Sequence, residues 1–429
     1  MIMQLNRYRG ICGCGREHGI TTKEVIIEKG AAAMLPGLAE RLGMPKRFTA
    51  VCDCNTKGIA EDVISGMADL LHPLRPVIVL NSDGLHADEQ AVGKVLAQLP
   101  IDTGWLLAVG SGTITDTVRY AAYERGLPYI SFPTAASVDG FLSIVCAMTW
   151  NGYKITTFGD APAAVLADTD VFAKAPYRLT ASGAADVLGK YTALADWKIA
   201  NLLIGEDYCA RIAEMEREAV DNVRAALPGI KAGDESAMEA LMYALLLSGL
   251  AMQMWGNSRP ASCSEHHIAH FWEMGVITPQ TQALHGEKVG VALCGLLPLY
   301  NRLAGEKDWA RHTFPYKGFP AGLLREKFGK LYPDVEKANT PDPMIALSPE
   351  GIAAQEKGIR AILAEMPDSA QLKEEMDKAG ITTQPEQIGL DNAVMAPSKY
   401  LAPFVRERIS LLRVCNLMTD FVPSAGLRF

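Results

Sequence analysis

Between residues 24 and 135 the chain alternates short, unbroken apolar runs with amphipathic segments, and this pattern restricts the fold more than any other feature. EVIIEKG (24–30), RFTAVCD (47–53), PVIVLN (76–81), WLLAVGSG (105–112) and LPYISFP (127–133) read as strands. Between them, 31–43, 56–72, 87–99 and 113–126 carry apolar residues near helical spacing. A strand that is apolar on both faces needs cover on both faces, which is the condition of a parallel sheet flanked by helices. Short strand-to-helix connections repeated in series predict an α/β layer, and a nucleotide-binding domain is the first expectation for it, by analogy alone.

After residue 180 the pattern changes. Segments 180–203, 234–255 and 287–305 are long, rich in Ala, Leu and Met, and helical in period. The expectation is an N-terminal α/β domain with a parallel sheet over residues 1–180 and an all-α domain over 181–429. Residues 306–350, rich in Pro and Gly, are expected to be loop-rich.

A formal charge of −8 argues against nucleic acid or an anionic membrane as the main partner. No apolar run reaches the roughly 20 residues of a bilayer span, and the first residues lack a secretory pattern. Nine cysteines in so large a chain fit reduced thiols in a cytoplasm. Cys12, Cys14 and His18, and the pair Cys52 and Cys54, have C-x-C rather than C-x2-C spacing. They read as an unliganded loop and a buried strand end.

Two stretches carry chemistry. AVGSGTITD (108–116) sets a glycine turn between a strand and a helix, where backbone N–H groups and the helix dipole can meet an anion. FPTAASVDGFLS (132–143) places Thr134, Ser137, Asp139 and Ser143 after the next strand, at the edge where open α/β sheets take ligands. The alternatives are a plain tight turn and a loop of Asx and Ser/Thr turns.

SCSEHHIAHFWEMGVITPQTQALHGEKVG (262–290) holds four of the eight histidines. On a helix His266 and His270 share a face at i and i+4, while His267 turns away and Ile268, Phe271 and Met274 face the core. His285 opens the next helix, and a helical hairpin would return it beside His266. Asp186 interrupts an Ala-rich face, where a carboxylate is costly without a cation, and so is the best third ligand. One Asp and two His with an open position make a catalytic rather than a structural site. The competing reading is a solvated helix face.

Residues 109–143, ASGAADVLGKYTALADW (181–197), SRPASCSEHHIAHFWEM (258–274) and LHGEKVGVA (284–292) together resemble the sn-glycerol-1-phosphate dehydrogenases, most closely the bacterial branch encoded with arabinose-utilisation genes. Their superfamily also holds glycerol dehydrogenase, iron-type alcohol dehydrogenases and dehydroquinate synthase, and shares a two-domain plan. The likeness runs from about residue 24 to 300.

The resemblance implies that Gly112, Thr113, Ile114, Thr115 and Asp116, with Thr134, Ala135, Ala136, Ser137 and Ser143, bind NAD(H) or NADP(H). Asp53 would hold the adenine-side ribose. Asp186, His266 and His285 would ligate one divalent metal, zinc before nickel or iron. Asp139, Asp186 and His270 would meet a phosphorylated triose, His270 also relaying a proton. His267 has no implied role. Lys190 and Arg259 are candidates for the substrate phosphate or for structural ion pairs. The implied reaction is reversible reduction of dihydroxyacetone phosphate by a homodimer. Rival readings are a glycerol dehydrogenase, a dehydroquinate-synthase-like lyase, or a sensor on an inactive scaffold. Departures are Ala184 and Ala185 where Phe-Gly is frequent, and Cys263 where glycine is common.

Overall fold

The computed structural model describes residues 2–66, 71–74 and 77–418. It divides into two compact units, Met1–Val187 with Glu214–Ser258, and Leu188–Ala213 with Arg259–Phe429.

In the first unit the strands are β1 (Glu24–Glu28), β2 (Arg47–Asp53), β3 (His72–Pro73), β4 (Ile78–Leu80), β5 (Leu106–Gly110), β6 (Tyr129–Pro133), β7 (Val145–Trp150), β8 (Tyr153–Phe158) and β9 (Ala164–Asp168). Seven of these form a parallel sheet in the order β1-β9-β6-β5-β2-β3, with β4 also paired to β2. Helices α1 (Leu35–Arg41), α2 (Lys57–Ser65), α3 (Glu89–Gln98) and α4 (Gly112–Arg125) connect them, and α5 (Thr169–Phe172) follows β9. The helix expected over 56–72 is present only as α2, Lys57–Ser65; its 67–70 portion lies outside the described residues, and His72 belongs to strand β3 instead. The same unit holds α6 (Tyr177–Leu188) up to Val187, most of α8 (Ala210–Ala232), and α9 (Glu235–Trp255).

The unbroken apolar strands are covered on both faces. Leu107 and Val109 of β5 join Phe48, Trp105, Leu35 and Leu38 on one side. Leu106 and Ala108 join Val51, Ile114, Val118 and Val95 on the other. Each fully buried aliphatic side chain adds roughly 1.5–3 kcal/mol, so a five-residue strand buried at every position is anchored without polar help. Helix α9 alone among the described helices is long and apolar enough to cross a bilayer, and 83% of that window is buried in the protein.

Strands β3, β7, β8 and β9 go beyond the sequence expectation. β7 and β8 form an antiparallel hairpin whose turn, Asn151 and Gly152, takes positive φ at both residues, as a two-residue turn of this hand requires. β9 inserts between β1 and β6, and its last residue, buried Asp168, accepts the N–H groups of Gly30 and Ala32 at 3.0 and 2.8 Å.

The second unit is helical. It contains α7 (Lys190–Ile204), α10 (Ser264–Glu273), α11 (His285–Gly305) and a series of shorter helices. Residues 306–350, expected to be loop-rich, contain short helices such as Ala321–Phe328 and Tyr332–Ala338 between loops.

Helix α6 meets the loop after β6 at Gly183. A Cβ there would lie 2.1 Å from the carbonyl oxygen of Ala136 and 3.1 Å from the Cα of Ser137, and backbone cannot swing aside as a side chain can. Gly183→Ala should therefore cost about 1–3 kcal/mol by overpacking, read as a lower thermal midpoint. Gly58→Ala is the control, because it sits exposed in α2 with open space at its Cβ. It should leave stability unchanged or raise it by about 0.4–1 kcal/mol. Equal midpoints for the two variants would contradict this packing.

Candidate metal centre and cofactor edge

The parallel pairing puts the chemistry-bearing loops of the first unit on one edge. Gly110 and Pro133, the last residues of β5 and β6, are direct partners, and the Thr134 N–H donates to the Gly110 carbonyl at 3.2 Å. The glycine turn and the loop Thr134–Ser137 are thus neighbours. Asp53 ends the adjacent strand β2 at the same edge, where one carboxylate oxygen accepts the N–H groups of Asn55 and Thr56 at 2.8 and 2.9 Å. Thr56 reaches the Val109 carbonyl at 3.1 Å and ties that turn to β5.

Helix α4 begins at Gly112, with extended Ser111 before it. A Cβ on Gly112 would lie 2.6 Å from Val138 Cγ2, so the two loops pack tightly. Thr113 and Ile114 form the first turn, and Ile114 is buried in the sheet core. The hydroxyls of Thr115 and Ser137 are buried with no hydrogen-bond partner among the described residues. Buried hydroxyls normally find partners. Together with the exposed amide dipoles of a helix N-terminus they fit an anionic, polar ligand.

Asp116 turns the other way. Its carboxylate pairs with fully buried Arg119 and accepts the Ala147 N–H at 3.3 Å, fastening α4 to the β7–β8 hairpin. Arg119 also binds the Tyr129 hydroxyl at 2.8 Å and the carbonyls of Val145 and Gly140. Ser143 is buried and accepts the Val145 N–H at 3.0 Å.

Asp186, on α6, is buried and accepts the backbone N–H of Asp139 at 3.1 Å. The Asp139 carboxylate in turn accepts the Ser248 hydroxyl at 2.9 Å. The two acids are held together in the first unit by backbone rather than by chance.

In the second unit α10 is not a wet face, because every residue from Ser264 to Trp272 is buried. His266, His270 and His285 converge, with ring centroids 5.9, 5.2 and 5.5 Å apart pairwise. His285 begins α11, as its sequence context predicts. His267 points elsewhere. It is buried with neither nitrogen hydrogen-bonded among the described residues, and burial followed by Arg408, Arg406, Arg259 and Arg413 holds it neutral, well below the usual histidine range.

Two carboxylates absent from the sequence reading orient the converging rings. Glu265, fully buried, lies 2.7 Å from His266 Nδ1, and Glu273 lies 2.7 Å from His285 Nδ1. An ionised carboxylate only accepts, so each Nδ1 carries the proton and each Nε2 keeps its lone pair. Metal-binding histidines commonly have this arrangement. Burial pushes the Glu265 carboxyl up, but His266, the Thr192 hydroxyl at 2.6 Å and the Cys263 N–H at 2.9 Å together hold it below the ordinary value. One ligand atom each from His270, Glu273 and His285 also lie within 4.8 Å of one another, so Glu273 has two conceivable roles.

The start of α10 is fixed by Asp196 of α7, whose buried carboxylate accepts from the Ser264 N–H and hydroxyl, the Tyr300 hydroxyl and the Leu411 N–H. Arg259 is buried in an ion pair with Glu206, at 2.6 Å, and donates to the carbonyls of Asp196 and Ile409. Its NH1 also contacts the sulfur of Cys263 at 3.2 Å. Lys190, the first residue of α7, is buried. No spacing rule singles out Glu265 or Glu273. Glu265 directly precedes His266 and Glu273 follows His270 by three residues, and these are the only signals the sequence offers.

A family profile described as iron-containing alcohol dehydrogenase matches residues 26–176. Among relatives, the glycerol-1-phosphate dehydrogenase (NAD(P)+) of Bacillus licheniformis is 31% identical over 421 residues, 97% of this chain and 94% of its own. That of Halalkalibacterium halodurans is 36% identical over 325 residues, 75% of this chain and 80% of its own. Among solved structures, maleylacetate reductase from Agrobacterium tumefaciens superposes with a TM-score of 0.59 at 18% identity, covering 90% of each chain. Glycerol dehydrogenase from Schizosaccharomyces pombe gives 0.57 at 20% identity, covering 86% of this chain and 94% of that one. At such identities the solved structures speak to fold alone.

If Glu265 and Glu273 set the imidazole tautomers, Glu265→Gln and Glu273→Gln should each weaken divalent-metal affinity about 10–100-fold while leaving the fold intact. Competition with a chromophoric chelator measures this, with circular dichroism as the folding control. Wild-type affinity in both variants would remove the carboxylates from the account.

Proposed function

The chain belongs to the glycerol-1-phosphate dehydrogenases, and from that premise we propose how its residues interconvert dihydroxyacetone phosphate and sn-glycerol 1-phosphate. The observation that carries the reading is the carboxylate-clamped pair His266 and His285, whose Nε2 lone pairs are kept available by Glu265 and Glu273. Asp186 completes the set with an anionic oxygen. Two imidazoles and a carboxylate suit zinc, and nickel or ferrous iron accept the same donors.

NAD(P)H binds at the sheet edge. The first turn of α4, from Gly112 to Thr115, and the loop Thr134–Ser137 take its phosphates and nicotinamide end, using the buried hydroxyls of Thr115 and Ser137. Asp53 takes the adenine-side ribose with the carboxylate oxygen not committed to its own turn. Asp116 acts through Arg119, keeping α4 and the hairpin in register. Ser143 lines the same region.

When bound, the cation supplies Lewis acidity at the substrate carbonyl and the reduced nicotinamide supplies a hydride to its carbon. The protein's work is positioning and proton delivery. Asp139 and Asp186 orient the hydroxyl and carbonyl ends of the triose, their own geometry fixed by the Asp139 N–H and Ser248. His270 delivers the proton to the carbonyl oxygen as the alcohol forms. Lys190 and Arg259 are the candidates for the phosphate, and the Arg259 guanidinium is also engaged by Glu206 and two carbonyls. His267, neutral and turned away, takes no part. A homodimer in the cytoplasm is the expected state, and the nine cysteines, none in a disulfide, suit that compartment.

Metal-loaded protein mixed with NADH or NADPH should lose cofactor absorbance on dihydroxyacetone phosphate and much more slowly on free dihydroxyacetone. Preference for the unphosphorylated ketone would instead favour a glycerol dehydrogenase. His266→Ala should abolish metal retention and turnover, whereas His267→Ala should keep both. The reverse outcome would show the ligand assignment to be wrong.

A further inference from the structure

The segment Ile11–His18 folds into a tight knuckle in the first unit. Ile11 and Glu17 bridge in antiparallel fashion, the Cys12 N–H donates to the Arg16 carbonyl at 2.9 Å, and the Gly15 N–H donates to the Cys12 carbonyl at 2.8 Å. Gly15 adopts φ of +83°, a conformation that favours glycine. The turn brings three soft or borderline donors together. The sulfurs of Cys12 and Cys14 and a nitrogen of His18 lie within 4.8 Å of one another, and Cys14 Sγ is 3.3 Å from His18 Nε2.

The histidine is prepared in the same way as the two clamped imidazoles. His18 Nδ1 is 3.0 Å from the backbone carbonyl oxygen of Met254. A carbonyl only accepts, so Nδ1 carries the proton and the Nε2 lone pair faces the Cys14 sulfur. The ring is buried, 6.1 Å from the Trp255 ring, which Arg16 covers from 5.6 Å. Cys12 is buried and Cys14 exposed.

We propose that Cys12, Cys14 and His18 bind a zinc ion, separate from the Asp186, His266 and His285 set. Bonds of about 2.3 Å to sulfur and about 2.0–2.1 Å to nitrogen place tetrahedral ligand atoms roughly 3.5–3.8 Å apart, which these side chains reach with small rotations. Both thiols lose their protons on binding, and one position of the tetrahedron is left to a further donor. Thiolate ligands select a softer ion than the oxygen and nitrogen set does. The C-x-C spacing reads as an unliganded loop because the third donor, and the carbonyl that orients it, come together only on folding. The role is structural, fastening the N-terminal segment beside the end of α9.

The full-length protein is loaded with cobalt(II) and its near-ultraviolet and visible spectrum recorded. The Asp–His set contains no sulfur, so a thiolate-to-cobalt charge-transfer band reports this site alone. The band should be present in wild type, persist in His266→Ala/His285→Ala, and vanish in Cys12→Ser/Cys14→Ser. In that last variant zinc content should fall by about one ion per chain. If the double variant does not fold, Cys14→Ser at its exposed position carries the same expectation. No band in cobalt-loaded wild type, or a band unchanged by the serine substitutions, overturns the proposal.

Discussion

An imidazole can serve a cation only while one ring nitrogen keeps its lone pair, and in this protein two carboxylates, buried Glu265 and half-buried Glu273, impose that condition. Glu265 accepts a hydrogen bond from the Nδ1–H of His266, and Glu273 one from that of His285, each at 2.7 Å. Glu265 is itself held ionised by Thr192 and the Cys263 N–H, and the Asp196 network pins the start of its helix to α7 and α11. A buried carboxylate without these donors would sooner take up a proton than remain charged. The candidate ligands therefore depend on a polar network that reaches well beyond them. Every member of that network lies in the helical unit.

The first unit meets a different constraint. Its sheet is apolar on both faces, so polar chemistry is confined to the edge where strands end and helices begin. Gly112 and Gly183 let loops approach closely there, and Arg119, buried by four acceptors, fixes the hairpin beside α4. Rigidity of this kind suits a site that must align two bound molecules.

Much of this was legible in the sequence. The strand–helix alternation from residue 24 to 133 identified the parallel sheet, and the change of period after 180 identified the helical part, because burial on both faces and helical stripes leave direct traces in residue order. His285 at the start of a helix and the convergence of His266 with it also followed from spacing. The hairpin β7–β8 carries an Asn-Gly turn signal at 151–152, weaker than the unbroken apolar runs of the sheet strands. β9, with the sequence AVLAD, is as long as β1, β5 and β6 but too rich in alanine to stand out, and only its place between β1 and β6 gives it meaning. Glu265, Glu273 and Arg119 were invisible for a physical reason. Their partners are set by three-dimensional packing, and a charged residue in a helix reads as surface until its burial is known.

The central claim is that His266 and His285 meet a metal through Nε2, with the two glutamates behind them. Anomalous diffraction at the metal edge, on crystals of the metal-loaded protein, tests it directly. The account predicts a peak bonded to Nε2 of both histidines, with Glu265 and Glu273 still hydrogen-bonded to Nδ1. A peak held by His270, Glu273 and His285, with His266 uncoordinated, would contradict it.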